Sequence, residues 1–335
     1  MRPRISQEEF DLIKGHRALK QECEATGIPL DSVNYYWYKS EKFSINAKNK
    51  QKSYLDVRDE VIKEMKSYAP VYKTIAHNTN DEGTLLVVDP ADIHIGKLCS
   101  SFETGNDYNN QIAVKRVMDG VHGILNKSMG FNTDMILLII GNDILHVDGA
   151  KNSTTSGTTM DTDGMWYDNF LIAKKLYIQV IETLTQVANV HVQYNPSNHD
   201  YVNGFLLADS LSSWFHKCAN VTFDVSISHR KYFKYHRNLI GTTHGDGAKI
   251  NDLALLMAHE ASAYWHESKH RYMYYHHIHH KVSKDYMSVC VESLRSPSGT
   301  DSWHHRNGYQ HAPKAIEGYI HDKEHGQIAR LTNLF

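Results

Sequence analysis

Five short segments of the chain carry side chains that bind divalent cations. They are Asp92-Ile93-His94, Gly141-Asn142-Asp143, Asn198-His199-Asp200, His244-Gly245-Asp246 and the run His276-His277-Ile278-His279-His280. Carboxylate, amide and imidazole donors suit hard or borderline ions, and no cysteine stands among them to impose a thiolate site. The chain holds 23 histidines, and histidine is the commonest metal ligand and the side chain that titrates near neutrality. Metal binding is the chemistry such donors serve, and a bound cation can activate water and stabilise a departing oxygen. A single D-x-H or H-x-H carries no weight alone, so the argument rests on where the five segments fall.

Each follows an apolar run of strand character. Thr84–Asp89, Asp134–Ile140, Val187–Tyr194, Leu239–Thr243 and Tyr272–His276 precede the five segments in order. Further strands are expected at Val221–Ser226, Tyr232–His236, Tyr286–Glu292 and Ile316–His321, with a closing hairpin at Glu324-His325-Gly326. Helical patterns occupy Asn109–Lys127, Trp166–Thr185, Leu206–Lys217 and Asp252–His270. The order is β-α-β-α-β-α followed mostly by β, an α/β chain. Ligands in open α/β folds gather beyond the carboxyl ends of strands, so five distant loops are expected to meet. In Asp92-x-His94 and His277-x-His279, residues two apart would face one side of an extended segment. The polar segment Lys151–Gly164 reads as a surface loop beside that place.

Taken together and in this order, the segments resemble the signature of the calcineurin-like metallophosphoesterases: D-x-H, G-D, G-N-H-D/E, H and G-H-x-H. The resemblance covers about residues 84–295 and implies two facing mixed β-sheets flanked by helices. It implies that Asp92, His94, Asp143 and His279 hold one metal, and that Asp143, Asn198, His244 and His277 hold a second, with Asp143 shared. His199 would be the general acid and Asp200 would orient it. The implied cofactors are two divalent ions, Mn²⁺ first, with Fe²⁺, Zn²⁺ or Mg²⁺ as substitutes. Three positions depart from the pattern. Asn142 is an extra residue before Asp143, Ser197 stands for a glycine, and so does His276. The choice of His277 and His279 over His276 and His280 follows the alignment.

The resemblance also suggests a substrate. His146, three residues after Asp143, resembles the histidine that partners the catalytic histidine in double-strand-break repair exonucleases, and the whole is similar to phage or prophage phosphoesterases of that branch. It implies a DNA nuclease, with a small-nucleotide or cyclic-nucleotide phosphodiesterase as the alternative. Trp303, Arg306 and Tyr309 join aromatic and basic character in one segment and are candidate nucleotide contacts. The implied partner is thus a nucleic-acid or nucleotide phosphodiester.

A rival reading comes from His266-Glu267-Ser268-Lys269-His270, which fits H-E-x-x-H. On one helix, the two histidines would share a face and could hold zinc, with Glu267 as base of a metallopeptidase. It leaves the five other segments unexplained.

Residues 1–75 differ from the rest. Glu8 to Ala25 has a helical pattern ended at Gly27-Ile28-Pro29, and a second helix is expected from Asp31 or Ser32 through Tyr38. With 14 Lys or Arg against 11 Asp or Glu, this small helical region is open to use as a helix-turn-helix DNA reader or as an interaction module for self-association or a protein partner. Residues 76–83 read as a linker and 84–335 as the phosphoesterase domain. The longest apolar run, Met135–Ile140, is far too short to span a bilayer. The start has no apolar signal core, and Cys23, Cys99, Cys218 and Cys290 form no CxxC pair. A cytoplasmic setting is expected, that of the host if the chain is phage-encoded.

Overall fold

A computed structural model describes residues 7–27, 30, 35–39, 44–48, 69–77 and 83–335. The chain divides into two compact units, residues 1–68 and 69–335.

In the first unit, helix α1 spans Gln7–Thr26, and Gly27 follows it with φ of 72°, the left-handed stop that glycine supplies. No second helix reaches Tyr38. Instead β1 (Tyr35–Lys39) pairs antiparallel with β2 (Ser44–Lys48), Trp37 opposite Asn46. The reason lies in Tyr35-Tyr36-Trp37-Tyr38, four aromatic residues that favour a pleated strand over a helix. The described residues therefore do not form the expected helix-turn-helix.

The second unit begins at Ala69, ahead of the expected start at 84. The Tyr72 hydroxyl donates to Glu182 (2.8 Å) and accepts from the Trp214 indole (3.0 Å). The Asn220 side chain holds both the N–H and the C=O of Ile75 at 2.8 Å. Residues 69–77 thus belong to this unit, and positions 78–82 of the expected linker lie outside the described residues.

Its elements follow in the order β3 (Thr84–Asp89), α2 (Ser101–Thr104), α3 (Asn110–Ser128), β4 (Thr133–Gly141), α4 (Trp166–Thr185), β5 (Asn189–Asn195), α5 (Tyr201–Trp214), β6 (Val221–Asp224), β7 (Arg230–Tyr235) and β8 (Asn238–Thr243). After a 3₁₀ turn come α6 (Leu253–Glu260), α7 (Ser262–Glu267), β9 (His270–Tyr275), β10 (Val282–Tyr286), β11 (Val289–Ser293), α8 (Ser302–Arg306), β12 (Ala315–Asp322) and β13 (Gly326–Leu334). Strands β13-β12-β3-β4-β5-β6 form one mixed sheet and β10-β11-β9-β8-β7 a second.

Alternation along the strands builds the layers. Leu86, Val88, Ile136, Leu138 and Ile140 face α3, α4 and α5 in the largest core. Their neighbours Leu85, Val87, Leu137 and Ile139 meet Ile240, Tyr274 and Tyr319 between the sheets. The outer face of the second sheet, with Leu239, Met273 and Val291, is covered by Leu253 and Met257. Two facing mixed sheets flanked by helices are the expected α/β architecture. A polar link crosses between the sheets near the site. Gln193 donates to Thr242 Oγ1 (2.6 Å), which donates to Asn195 Oδ1 (2.6 Å), and Asn195 Nδ2 donates to the Thr242 carbonyl (3.2 Å). No helix among the described residues is long and apolar enough to cross a membrane.

Candidate metal centre

The loops after β3, β4, β5, β8 and β9 converge at one end of the paired sheets. Ring and carboxylate atoms of Asp92, His94 and His279 lie within 4.8 Å of one another, and so do those of Asp143, His244 and His277. Asp143 stands between the two groups, with Oδ2 3.2 Å from His244 Nε2 and 3.9 Å from His94 Nε2. Asn198 Oδ1 lies 2.8 Å from His244 Nε2. His94 Nε2 is 3.3 Å from His279 Nε2, which is 3.5 Å from Asp92 Oδ1. All seven expected ligand residues are therefore brought together.

The backbone that does this is unusual. Among the described residues, nine other than glycine have positive φ: Asp92, His94, Asn142, Asp143, Asn152, His236, His277, His279 and Met287. Five of the nine are candidate ligands, and such backbone persists only where the surroundings enforce it. Asp92-x-His94 (φ 50° and 52°) and His277-x-His279 (φ 73° and 57°) are thus left-handed turns and not the extended segments that strand alternation suggested. The extra Asn142 is absorbed in the same way, by three successive left-handed residues, Gly141 (φ 90°), Asn142 (55°) and Asp143 (60°). Gly141 has no alternative, because a Cβ there would sit 1.9 Å from the Asn195 carbonyl oxygen. Ser197, in place of a glycine, accepts the Asp143 N–H (2.8 Å) and donates to Asp200 Oδ1 (2.6 Å).

The donor set fits cations. Asp92 and Asp143 are buried and no lysine or arginine pairs with either among the described residues. Burying unpaired carboxylates is costly. Burial opposes charge on Asp143, yet His244 and His199 hold it below the usual carboxylate range. Burial would lower His244 in turn, but Asp143 pushes it up to about 9. The site thus draws positive charge to itself. Burial lowers His279 to about 4 and keeps His94 and His277 below the usual histidine range, which leaves neutral imidazoles suited to coordination. His244 Nδ1 is buried without a hydrogen-bond partner.

The candidate catalytic histidines lie beside the first group. The His199 and His146 rings stack with centroids 5.3 Å apart, and His94 Nδ1 is 3.3 Å from His146 Nδ1. His199 Nδ1 donates to the His146 carbonyl at 2.9 Å. A carbonyl only accepts, so this bond fixes the ring and aims Nε2 elsewhere. Asp200 does not orient His199. It is buried, and its carboxylate accepts from Leu145 N and Ser197 Oγ. Burial, followed by the charge of Asp143, raises it to about 7.

His276 and His280 stand apart from the two groups. His276 bonds Asp89 (2.9 Å) and the Thr243 carbonyl (3.1 Å) beneath the site, while His280 Nδ1 turns back on the Ile278 carbonyl. Trp303, Arg306 and Tyr309 lie on or just after α8, exposed to solvent. Two features gave no local signal. Helix α5 begins five residues before the expected Leu206, because Asp148, remote in sequence, accepts the N–H groups of Val202 and Asn203. Buried Lys97 pairs with Asp301 at 2.8 Å, a partner some 200 residues away. The H-E-x-x-H match loses its geometry: α7 ends at Glu267 and His270 opens β9, so His266 and His270 share no helical face.

A scan against protein-family models and a search of curated proteins return no match. Solved structures do resemble this chain. One is described as a novel archaeal phosphodiesterase, 11% identical with a TM-score of 0.34, matching 75% of this chain and 99% of its own. A second is Vps29 complexed with zinc from Entamoeba histolytica, 10% identical, TM-score 0.31, matching 75% and 98%. A third is a predicted phosphoesterase from Streptococcus pneumoniae, 12% identical, TM-score 0.28, matching 76% and 98%.

Proposed function

We propose that this chain is a divalent-metal-dependent phosphoesterase of the calcineurin-like type, hydrolysing phosphodiester bonds. One observation carries the reading: two donor groups, Asp92/His94/His279 and Asp143/His244/His277, lie side by side, with Asp143 Oδ2 3.2 Å from His244 and 3.9 Å from His94, and the His146/His199 pair, which forms a third such group with His94, stands at their edge. Asn198 completes the second group. Cations held there, with Mn²⁺ the favoured pair, would supply charge for the phosphate oxygens and acidify a water.

The chain's own groups supply the rest. His199, its Nδ1 engaged by the His146 carbonyl, gives a proton from Nε2 to the leaving oxygen. The water oxygen bonds to phosphorus as the P–O ester bond breaks, and the water's proton passes to solvent. His146 stacks on His199 and keeps that ring in place. Asp200 acts at one remove, by fastening the Asp143 loop through Ser197 and Leu145.

Within this reading a nucleic-acid phosphodiester, DNA first, is the favoured substrate, supported by the paired His146 and His199. A small nucleotide diester is the alternative. The test is cleavage of bis-p-nitrophenyl phosphate. Mn²⁺ should stimulate it, and chelator or Asp143→Asn should abolish it. Absence of metal-dependent turnover on this ester, on DNA and on cyclic nucleotides would reject the reading.

A further inference from the structure

The segment after β11 leaves the core by a well-fixed route. Ser296, Ser298 and Thr300 are buried, and Arg116 Nη1 donates to the Pro297 carbonyl at 2.5 Å. It ends at Asp301, whose Oδ1 accepts the His304 N–H at 2.8 Å and lies 2.7 Å from His304 Nδ1. Asp301 Oδ2 takes Lys97 Nζ at 2.8 Å. Lys97 is 1% exposed, and a lysine buried so deeply needs a charged partner. It also belongs to the loop of His94, whose carbonyl accepts the Lys97 N–H at 2.9 Å. One ion pair therefore fastens α8 to the loop that carries a candidate metal ligand.

A row of rings leads out from there. His304 stacks on His279 with centroids 5.0 Å apart and planes 13° from parallel. Trp303 meets His304 edge-on at 5.1 Å and Tyr309 at 5.8 Å. Trp303 is 62% exposed and Tyr309 58%, so neither serves the core. Two ring contacts separate the exposed indole from His279. Aromatic faces fixed beside a phosphate site are what a nucleic-acid base stacks upon.

We propose that Trp303 and Tyr309 form the seat for the planar base of a nucleotide whose phosphate lies at the candidate metal centre, and that the Lys97–Asp301 pair is the positioning device for that seat. The inference rests on the phosphodiesterase reading and deepens it by naming the substrate part that α8 recognises.

The test compares two esters on the Mn²⁺-loaded full chain: thymidine 5′-p-nitrophenyl phosphate, which carries a base, and methyl p-nitrophenyl phosphate, which carries none. Trp303→Ala should lower the ratio of their kcat/KM values about tenfold, through KM of the thymidine ester. Asp301→Asn keeps an acceptor for the His304 N–H but loses the charge facing Lys97. It should raise the same KM several-fold, with kcat moved less than twofold and bound metal unchanged. Tyr264→Ala, an exposed aromatic on α7, should leave the ratio as it was. An unchanged ratio in Trp303→Ala overturns the seat, and an equal fall in kcat and bound metal in Asp301→Asn overturns the positioning role. If the wild-type chain cleaves neither these esters nor bis-p-nitrophenyl phosphate, DNA or cyclic nucleotides, the phosphodiesterase reading has failed, and equilibrium binding decides the seat separately. Thymidine 5′-monophosphate should then bind more tightly than ribose 5-phosphate, with the preference lost in Trp303→Ala; no preference overturns it.

Discussion

The His199 N–H donates to Asp143 Oδ1 at 3.0 Å. The carboxylate that stands between the two donor groups thereby also holds the loop of the candidate acid. The candidate ligand and the candidate proton donor are thus tied through one side chain, so damage to Asp143 is expected to reach both.

Asp143→Asn is expected to lower phosphodiester turnover by about 10³-fold or more and to reduce bound metal, since it removes the shared charge from both groups. Metal analysis of the dialysed protein together with a bis-p-nitrophenyl phosphate assay measures this. His266→Ala, outside the site, should match the wild type in both; loss of either there would count against the assigned site.

His199→Ala should separate binding from chemistry. Two metals per chain should remain if the ions take the Asp92/His94/His279 and Asp143/His244/His277 groups and not the third group, His94/His146/His199, while kcat falls roughly 10²–10⁴-fold. Loss of metal would place His199 among the ligands instead.

Gly141→Ala tests the left-handed turn. A methyl group there meets the Asn195 carbonyl and a φ of 90°. The cost should be about 3 kcal/mol or more of stability, read from denaturant unfolding. Asn142→Gly, where φ is 55°, removes strain instead and should not destabilise.

Acid stability should depend on Glu317. Burial alone would raise this carboxyl, but Arg330 and Arg295 hold it below the ordinary glutamate range, at 2.8 Å and 2.7 Å. A depressed carboxyl contributes stability above its unfolded pKa of about 4.3, and that contribution is lost as pH falls through the lower folded value. Glu317→Gln should flatten the acid limb of the stability profile below about pH 4. Arg330→Ala should cost roughly 3 kcal/mol at neutral pH, since it leaves Glu317 with Arg295 alone and takes from buried Glu292 its arginine partner.

Much of this was legible in the residues. Thr84–Asp89 and Trp166–Thr185 have the boundaries their patterns predicted, because apolar runs and punctuating loops are local signals. The five donor segments were legible for the same reason: each follows its strand. What escaped depends on contacts far apart in sequence. The helical pattern of Asp252–His270 breaks at Ala261 and again before β9, where sheet pairing overrides helical propensity. The expected strand Tyr286–Glu292 is two strands folded about Met287, at φ 55°. Lys97 and Asp301 look like ordinary surface charges until the fold buries one against the other.

The crossing at Gln193, Thr242 and Asn195 has a mechanical consequence. Asp92, Asp143 and Asn198 ride on one sheet, His244, His277 and His279 on the other, so the centre straddles a seam. Those three side chains act as a dowel through it. Shear between the layers would spread the donors apart before any strand unzips, and ion affinity would register a loosened seam earlier than a melting curve.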